Sequence, residues 1–534
     1  MIIGSRKSDL AVIQAQSIAE VLQLQNPHLQ IQFFQRPSMG DLNLDIDLNK
    51  TGSKGVFTAD FVEHLQKGDC DVVVHSWKDL PIDSHPEFKV LSGPYREDQR
   101  DILFLKRASD KKSHLKILTS SPRREFQLQE NLKDLLPFQA EISFQSIRGN
   151  IPTRFKKYLD SDADGFVVAK AAVDRLMGAS SESYAEIQKQ IQNVFSQCLW
   201  MVLPLSEFPT AAAQGALALE VPVQSSMLPT LEKMSNLQVA QCVELERQTH
   251  KSYGGGCHQA MGFSALALSE GILFFSSGQD EGLNFKTQEW RPKRNLPARF
   301  QLQEIFLSST VKVQRTTTPP LSQTAVPSHP TADSSVAARS PMATASLASP
   351  LATTQTAATT TVPPVTFNMD HHSECVISRF EAFPKDLGAN PNAVIWAAGT
   401  KTWKKLAAQG TWVHGSLDGL GLDHKPEFWF LKSYSKYWFT HAEASSEHLG
   451  DFTKVPMYKV NYTLEAGDLE NKKIFFWSSA ELFHKAWKLN SAALKPALHV
   501  CGLGRTSWAI KSLIPDAQMY YALDEQEFLQ RALL

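Results

Sequence analysis

The sequence predicts an α/β protein made of several domains, and three observations carry that expectation. Over roughly the first three hundred residues, short β-branched or aliphatic runs alternate with amphipathic stretches at helical spacing. Most apolar runs end in polar, chemically capable residues: VVV runs into His75-Ser76, and KIL into Thr119-Ser120-Ser121. In open parallel sheets ligands gather at such strand ends. At 534 residues the chain is also too long for one core, and length points to about three or four domains.

Taken in order, a first short strand ends near Arg6, and Leu10–Leu24 and Thr58–Gln66 read as helices. Asp71–Val74, Lys116–Leu118 and Gly165–Ala169 read as strands, and AAVDRL (171–176) as a helix closed by Arg175. From about Thr316 to Val365 the composition collapses to Thr, Ala, Ser and Pro. Between Pro319 and Thr366 there is no aromatic residue and no glycine, and Asp333 and Arg339 are the formal charges. Such a stretch buries too little apolar surface to offset its ordering entropy, so a disordered tether is expected. Beyond it, 392–421, 472–490 and 499–513 each read as strand, small-residue turn and helix.

Composition excludes some classes of function. With 43% hydrophobic and 20% charged residues and a net charge of −1, nothing calls for nucleic acid or an anionic membrane as partner. No apolar run approaches the roughly 20 residues that span a bilayer. The opening MIIGSRKSDLAVIQAQ breaks into charge too early for a secretory leader, so a cytoplasmic protein is expected. Six scattered cysteines without a CxxC pair argue against zinc or disulfide scaffolding, and no metal site is expected. HHSE (371–374) has metal-like residues but sits at the tether's edge, where solvation is expected. GLGRTSW (502–508) lacks the full glycine fingerprint of a dinucleotide loop.

Three features carry chemistry. Arg6, Arg123, Arg124, Arg148, Arg154 and Arg175 cluster mostly at strand-to-helix junctions, where backbone N–H groups already favour anions. Each guanidinium grips a carboxylate or phosphate with two donors, so the set implies a polyanionic ligand. Any one of them alone could be an ordinary surface arginine. In HSWKDLP (75–81), Asp79 beside Lys78 can orient N–H donors or stabilise a developing cation, a capping aspartate being the alternative. In YGGGCHQAMG, three glycines present the thiol of Cys257 for covalent attachment or nucleophilic work, against the usual fate of a small buried hydrophobe.

In this order the segments resemble the porphobilinogen deaminase (hydroxymethylbilane synthase) family over roughly residues 1–310. The matching pieces are GSRKSDLA (4–11), GSKGVFT (52–58), HSWKDLP, REDQRD (96–101), TSSPRR (119–124), RGNIPTR (148–154), AAVDRL, AAAQGALALE (211–220) and ER followed by GGC (246–257). The resemblance implies an enzyme of haem biosynthesis that joins four porphobilinogen units head to tail, releasing ammonia. Its dipyrromethane cofactor would be held by a thioether to Cys257. Asp79 would be catalytic, accepting pyrrole N–H bonds and stabilising the azafulvene-like cation. Cofactor contacts would come from Arg123, Arg124, Lys78, Ser121 and Thr119, and substrate contacts from Arg6, Ser8, Lys54, Ser76, Arg148, Arg154 and Arg175. Two departures stand out: Ala59 replaces a residue usually basic, and Leu118 a glycine.

The resemblance also implies a layout and a monomer. Two lobes like those of periplasmic binding proteins, 1–98 with 196–222 and 99–195, would be followed by an α+β domain (223–312) carrying Cys257. A disordered linker (313–365) would then lead to a C-terminal α/β domain (366–534). The latter looks like uroporphyrinogen-III synthase, which acts on the deaminase product, although that family's opening strand–helix units are missing or eroded here. An inactive docking domain is the alternative for this block. For the whole chain the rivals are a solute-binding protein, which would need neither Cys257 nor Asp79, and a degenerate scaffold.

Overall fold

The computed structural model describes residues 1–37, 59–83, 85–255, 259–297, 300–317, 372–445 and 449–533. Lys54, Cys257 and almost all of the expected linker lie outside the described residues.

Two five-stranded sheets share one plan. In the first lobe, β1 (Ile2–Arg6), β2 (Gln32–Arg36), β3 (Val72–Ser76), β4 (Phe88–Arg96) and a later strand at Ala216–Pro222 stand in the order β2-β1-β3-return-β4. In the second, β5 (Asp101–Lys106), β6 (His114–Leu118), β7 (Glu141–Gln145), β8 (Gly165–Ala169) and β9 (Cys198–Val202) stand in the order β7-β6-β8-β5-β9. Each has three parallel strands, then an antiparallel one contributed by a crossover from the other lobe. The return strand, β10 (Ala216–Pro222), is antiparallel to both β3 and β4. The expected return segment is corrected in one respect: β9 pairs with β5 in the second lobe, so the return begins only after Val202. Helix α1 (Asp9–Gln25) buries Ala15, Ile18 and Leu22 against the first sheet, the i, i+3, i+7 stripe that predicted it.

Helices α2 (Ala59–Lys67), α3 (Pro122–Asn131), α4 (Ile151–Asp160), α5 (Lys170–Gly178) and α6 (Ala185–Gln197) complete the lobes. Local chemistry starts them cleanly: Ser121 caps α3 ahead of Pro122, and Asn150 Oδ1 accepts the Thr153 N–H at 2.9 Å to cap α4. α7 (Leu228–Met234) packs on the first sheet through Leu231 and Met234, and a third unit then packs α8 (Leu237–Ser252) with an antiparallel meander, β11 (Met261–Leu268), β12 (Gly271–Asp280) and β13 (Leu283–Pro292). Glu246 in α8 is fully buried and ties three segments together. It accepts from Arg96 at 2.8 and 3.0 Å and from the backbone N–H groups of Ala213 and Ala265 at 2.7 and 2.6 Å.

The boundary of the C-terminal block differs from the expectation. β14 (Ile305–Leu307) and β15 (Lys312–Thr317), placed by sequence in the third unit and the tether, pair with strands far down the chain. β15 edges a six-stranded sheet with β16 (Ser373–Ile377), β17 (Ala393–Ala397), β18 (Gly415–Ser416), β19 (Ser435–His441) and β20 (Thr453–Thr463). β14 edges a parallel sheet with β21 (Ile474–Trp477), β22 (Leu498–Cys501) and β23 (Gln518–Tyr521). Residues 318–371 therefore interrupt one folded unit rather than separating two. HHSE is corrected as well: Ser373 and Glu374 are buried in β16, and Glu374 Oε1 accepts from Lys425 at 2.6 Å and Trp396 at 2.9 Å.

This block docks on the rest of the chain through shared cores. Phe195 and Trp200 of the second lobe pack with Trp396 and Phe428, and Leu135 and Met201 with Trp403 in α9 (Thr400–Ala407). Leu273, Phe275 and Trp290 of the third unit pack with Phe475 and Trp477. Hydrogen bonds fix the register: Val202 N–H to His414 O at 2.8 Å, Trp412 Nε1 to Trp200 O at 3.0 Å, and Trp403 Nε1 to Leu135 O at 3.1 Å. Helices α10 (Ala480–Leu494), α11 (Thr506–Leu513) and α12 (Glu525–Leu533) complete it. No helix among the described residues is long and apolar enough to cross a membrane.

Candidate active site between the lobes

The two lobes meet where their parallel strands end. β3 delivers Ser76, whose hydroxyl exchanges hydrogen bonds with Gln14 at 2.9 and 3.1 Å, and then a 3-10 turn, Trp77–Asp79, exposes Lys78 and Asp79. Arg247 of α8 braces this turn by donating to the carbonyls of Trp77, Leu80 and Pro81. From the other lobe, β6 ends at Leu118 and delivers Thr119, Ser120 and Ser121 into the start of α3. Thr119 Oγ1 accepts the Ser121 N–H at 3.2 Å, which closes the turn.

Electrostatics place most of the expected residues in one group. The Arg154 guanidinium is lowered to about 10 by burial, by Arg124 and by Arg148, while Asp79 from the facing lobe pulls it back up. Lys78 is lowered by the surrounding protein and by Arg124 and Arg123, with Asp79 and Asp101 opposing. Lys78, Asp79, Arg123, Arg124, Arg148 and Arg154 thus share one field of net positive charge, suited to a ligand carrying several carboxylates.

Arg123 and Arg124 are less open than their sequence position implies. Both point at Asp101, an acid that motif reading passed over although it closes REDQRD. Arg123 Nη2 reaches Asp101 at 2.9 Å, and Arg124 meets it through Nη2 at 2.7 Å and Nε at 3.1 Å. Arg123 Nη1 donates to Gln127 and to the Pro209 carbonyl. Gln214, likewise missed, donates to Asp101 at 2.8 Å and accepts from Lys78 at 3.4 Å. No spacing rule separates such an internal counter-ion from a capping aspartate.

Arg6 ends β1 beside Arg36 on the neighbouring strand, and Ser8 caps α1 through its carbonyl. Arg175 turns elsewhere: it donates to the Gly215 carbonyl at 2.7 Å and faces Glu97, Tyr95 and Asp174 at the hinge, the paired crossovers 96–101 and 203–215 that join the lobes. A cavity of about 660 Å³ lies on that hinge side, between residues 95–100 and 417–427. The Ala59 departure falls at the start of α2, with its side chain outside the described residues.

The loop toward Cys257 approaches the same turn. Gly254 and Gly255 adopt φ of +93° and +65°, and a Cβ on Gly255 would meet Ile82 Cδ1 at 2.5 Å. Two consecutive positive φ values favour glycine, and they bring Gly255 against Ile82, three residues past Asp79. The five cysteines described elsewhere are buried, and burial pushes the thiols of Cys70, Cys375 and Cys501 up to about 12 and that of Cys242 to about 11. Such thiols are poor nucleophiles. Among the described residues no cluster of His, Cys, Asp and Glu could hold a metal ion.

Residues 1–228 match the family model described as porphobilinogen deaminase, dipyrromethane cofactor binding domain. The porphobilinogen deaminase of Chlorobium phaeobacteroides is 34% identical over 278 residues, covering 51% of this chain and 80% of the relative. That of Clostridium kluyveri is 33% identical over 279 residues, covering 52% and 87%. Among solved structures, the OxyR regulatory domain from Pseudomonas aeruginosa covers 46% of this chain and 98% of its own at 10% identity, with a TM-score of 0.23.

Proposed function

The chain belongs to the porphobilinogen deaminase family, and on that premise we propose that Asp79 is its catalytic group and that Cys257 carries the cofactor. As a member of that family it is a transferase of tetrapyrrole biosynthesis, and residues 1–228 match its dipyrromethane cofactor binding domain. The donor set fits such a group, because each pyrrole bears two carboxylates and the cleft gathers guanidinium and ammonium groups from both lobes. Arg123, Arg124, Lys78, Thr119 and Ser121 would hold it beside the loop of Cys257. When bound, the dipyrromethane supplies the end from which the chain grows.

The protein's own residues do the rest. Lys78 and Asp79 come from the first lobe, while Arg124, Arg148 and Arg154 come from the second. The arginines and Lys54 bind and orient substrate carboxylates, with Arg6, Ser8 and Ser76 at the strand ends and Arg175 at the hinge. Asp79 accepts the pyrrole N–H and offsets the positive charge that develops on porphobilinogen as ammonia leaves. The hydrogen bonds that run from Lys78 through Gln214 to Asp101 and on to Arg123 and Arg124, joining the first lobe's turn to the second lobe's cations, support this reading most.

The test is an intact mass and peptide map of the purified protein, with ammonia release from porphobilinogen as the activity. One dipyrromethane on Cys257 is expected. Cys257→Ser is expected to fold without the adduct and without activity. An adduct on another cysteine, or full activity in the variant, would overturn the assignment.

The C-terminal cleft supports a second reading, uroporphyrinogen-III synthase activity. The carboxyl ends of strands from both its sheets turn toward one cavity of about 210 Å³, lined by Ser378, Thr440, His441, Ser479 and Arg505. Type III uroporphyrinogen from the full chain supplied with porphobilinogen is the expected result. Exclusive type I product would instead make the block a non-catalytic docking domain.

A further inference from the structure

We propose that Asp101 is a positioning residue of the deaminase site, a resident carboxylate that holds the arginine forks and so limits how tightly they bind ligand carboxylates. The proposal rests on the reading of the cleft given above. Asp101 is 1% exposed, at the first residue of β5 where the chain crosses between lobes. Its two oxygens accept four donors: Arg123 Nη2, Arg124 Nε and Nη2, and Gln214 Nε2. That uses about all the acceptor capacity of a carboxylate. The Nε–Nη2 edge of Arg124 is one of the two edges that can grip a carboxylate in two places, and Asp101 occupies it.

A carboxylate inside an anion site has a physical use. Two adjacent guanidinium groups without a counter-ion would repel each other, and Lys78, Arg148 and Arg154 add to that field. A site so charged would hold an anionic chain too firmly to release it. The deaminase product carries two carboxylates per ring, and every condensation requires contacts to be broken and remade as the chain lengthens. With Asp101 in the forks, a ligand carboxylate competes for donors already satisfied, and each exchange replaces one charge-assisted bond by another. Gln214 extends the arrangement to Lys78, so one buried acid sets the orientation of three cations.

The test uses the holoenzyme with inorganic phosphate as the anionic probe, read as competitive inhibition of ammonia release. Asp101→Asn keeps the shape and removes the charge. It is expected to lower the phosphate inhibition constant by about tenfold or more, the worth of one charge-assisted hydrogen bond. KM and kcat are expected to fall together as the chain is held more tightly. Asp101→Glu, which keeps the charge, is expected to restore weak phosphate binding. Should Asp101→Asn fail to fold, Asp101→Asn with Arg123→Met removes one buried charge of each sign and leaves Arg124 uncompensated, with the same fall in the inhibition constant expected. Arg124→Gln in the otherwise unchanged enzyme is expected to raise it. If Arg124→Gln has no effect, the reading of the cleft fails. If Arg124→Gln raises the constant while the folded Asp101 variants leave it unchanged or raise it with KM, the role given to Asp101 fails alone.

Discussion

The docking of the C-terminal block predicts that the deaminase half cannot be destabilised or spared independently of it. Trp403 is the clearest probe. Its ring is fully buried among Leu128, Leu132 and Leu135 of the second lobe, and its Nε1 donates to the Leu135 carbonyl at 3.1 Å. Trp403→Phe keeps an aromatic ring but removes the donor, leaving a buried carbonyl unpaired at a cost of about 1–3 kcal/mol. The volume lost with the second ring adds roughly 1 kcal/mol of unfilled space. Together these come to about 3 kcal/mol, near a hundredfold in the folded-to-unfolded ratio at a fixed urea concentration. The assay is the urea midpoint for loss of ammonia release from porphobilinogen, set beside the midpoint for loss of C-terminal structure. Both midpoints are expected to fall together, although Trp403 lies 175 residues beyond residue 228, where the match to the family model ends. A variant whose C-terminal transition moves while its deaminase midpoint stays put would refute the shared core.

Three further outcomes follow from the site and the fold. Asp79→Ala is expected to leave the arginine group in place, so that KM changes little while kcat falls by orders of magnitude, because Asp79 acts on charge that develops only during reaction; a normal kcat with a raised KM would make it a binding residue. His499 is fully buried, with Nδ1 accepting from Trp477 Nε1 at 3.0 Å and Nε2 donating to the Leu494 carbonyl at 2.9 Å, and burial lowers it to about 4 from about 6.5. The unfolded chain therefore binds the extra proton first: stability is complete above about pH 6.5 and falls by roughly 3 kcal/mol as pH drops toward 4, a slope that His499→Phe should flatten in urea titrations between pH 7 and 4. A protease site placed within 318–371 and then cut is expected to leave one species on size exclusion with unchanged ammonia release, and separation into two fragments would contradict the pairing of β14 and β15 across the cut.

Sequence alone carried the units whose signal is local. The alternating runs and amphipathic stretches became β3, β6, β8, α1 and α2 with ends shifted by one or two residues, because periodicity reports burial on one face whatever the partner is. Pairing over distance left no such trace. Ile305–Leu307 is three apolar residues beside a meander, and nothing in them distinguishes the neighbouring sheet from one built by residues 474–521. The composition break at Thr316 was real but mislocated the domain edge, since low apolar content marks where packing stops and not which sheet the last packed strand joins. Cys198–Val202 misled for the same reason, its apolar run fitting either lobe equally well. Within the site, motif order supplied the charged residues but could not separate those open to the cleft from those that face one another. Asp101 closes REDQRD while Arg123 and Arg124 close TSSPRR, and only geometry reveals that the acid of one motif fills the forks of the other. Arg175 shows the converse, a motif arginine whose guanidinium faces the hinge. A cleft assembled from two like-folded lobes therefore has a legible inventory and an illegible wiring: residue type fixes what charge is present, and the crossovers at 96–101 and 203–215 fix which charges meet.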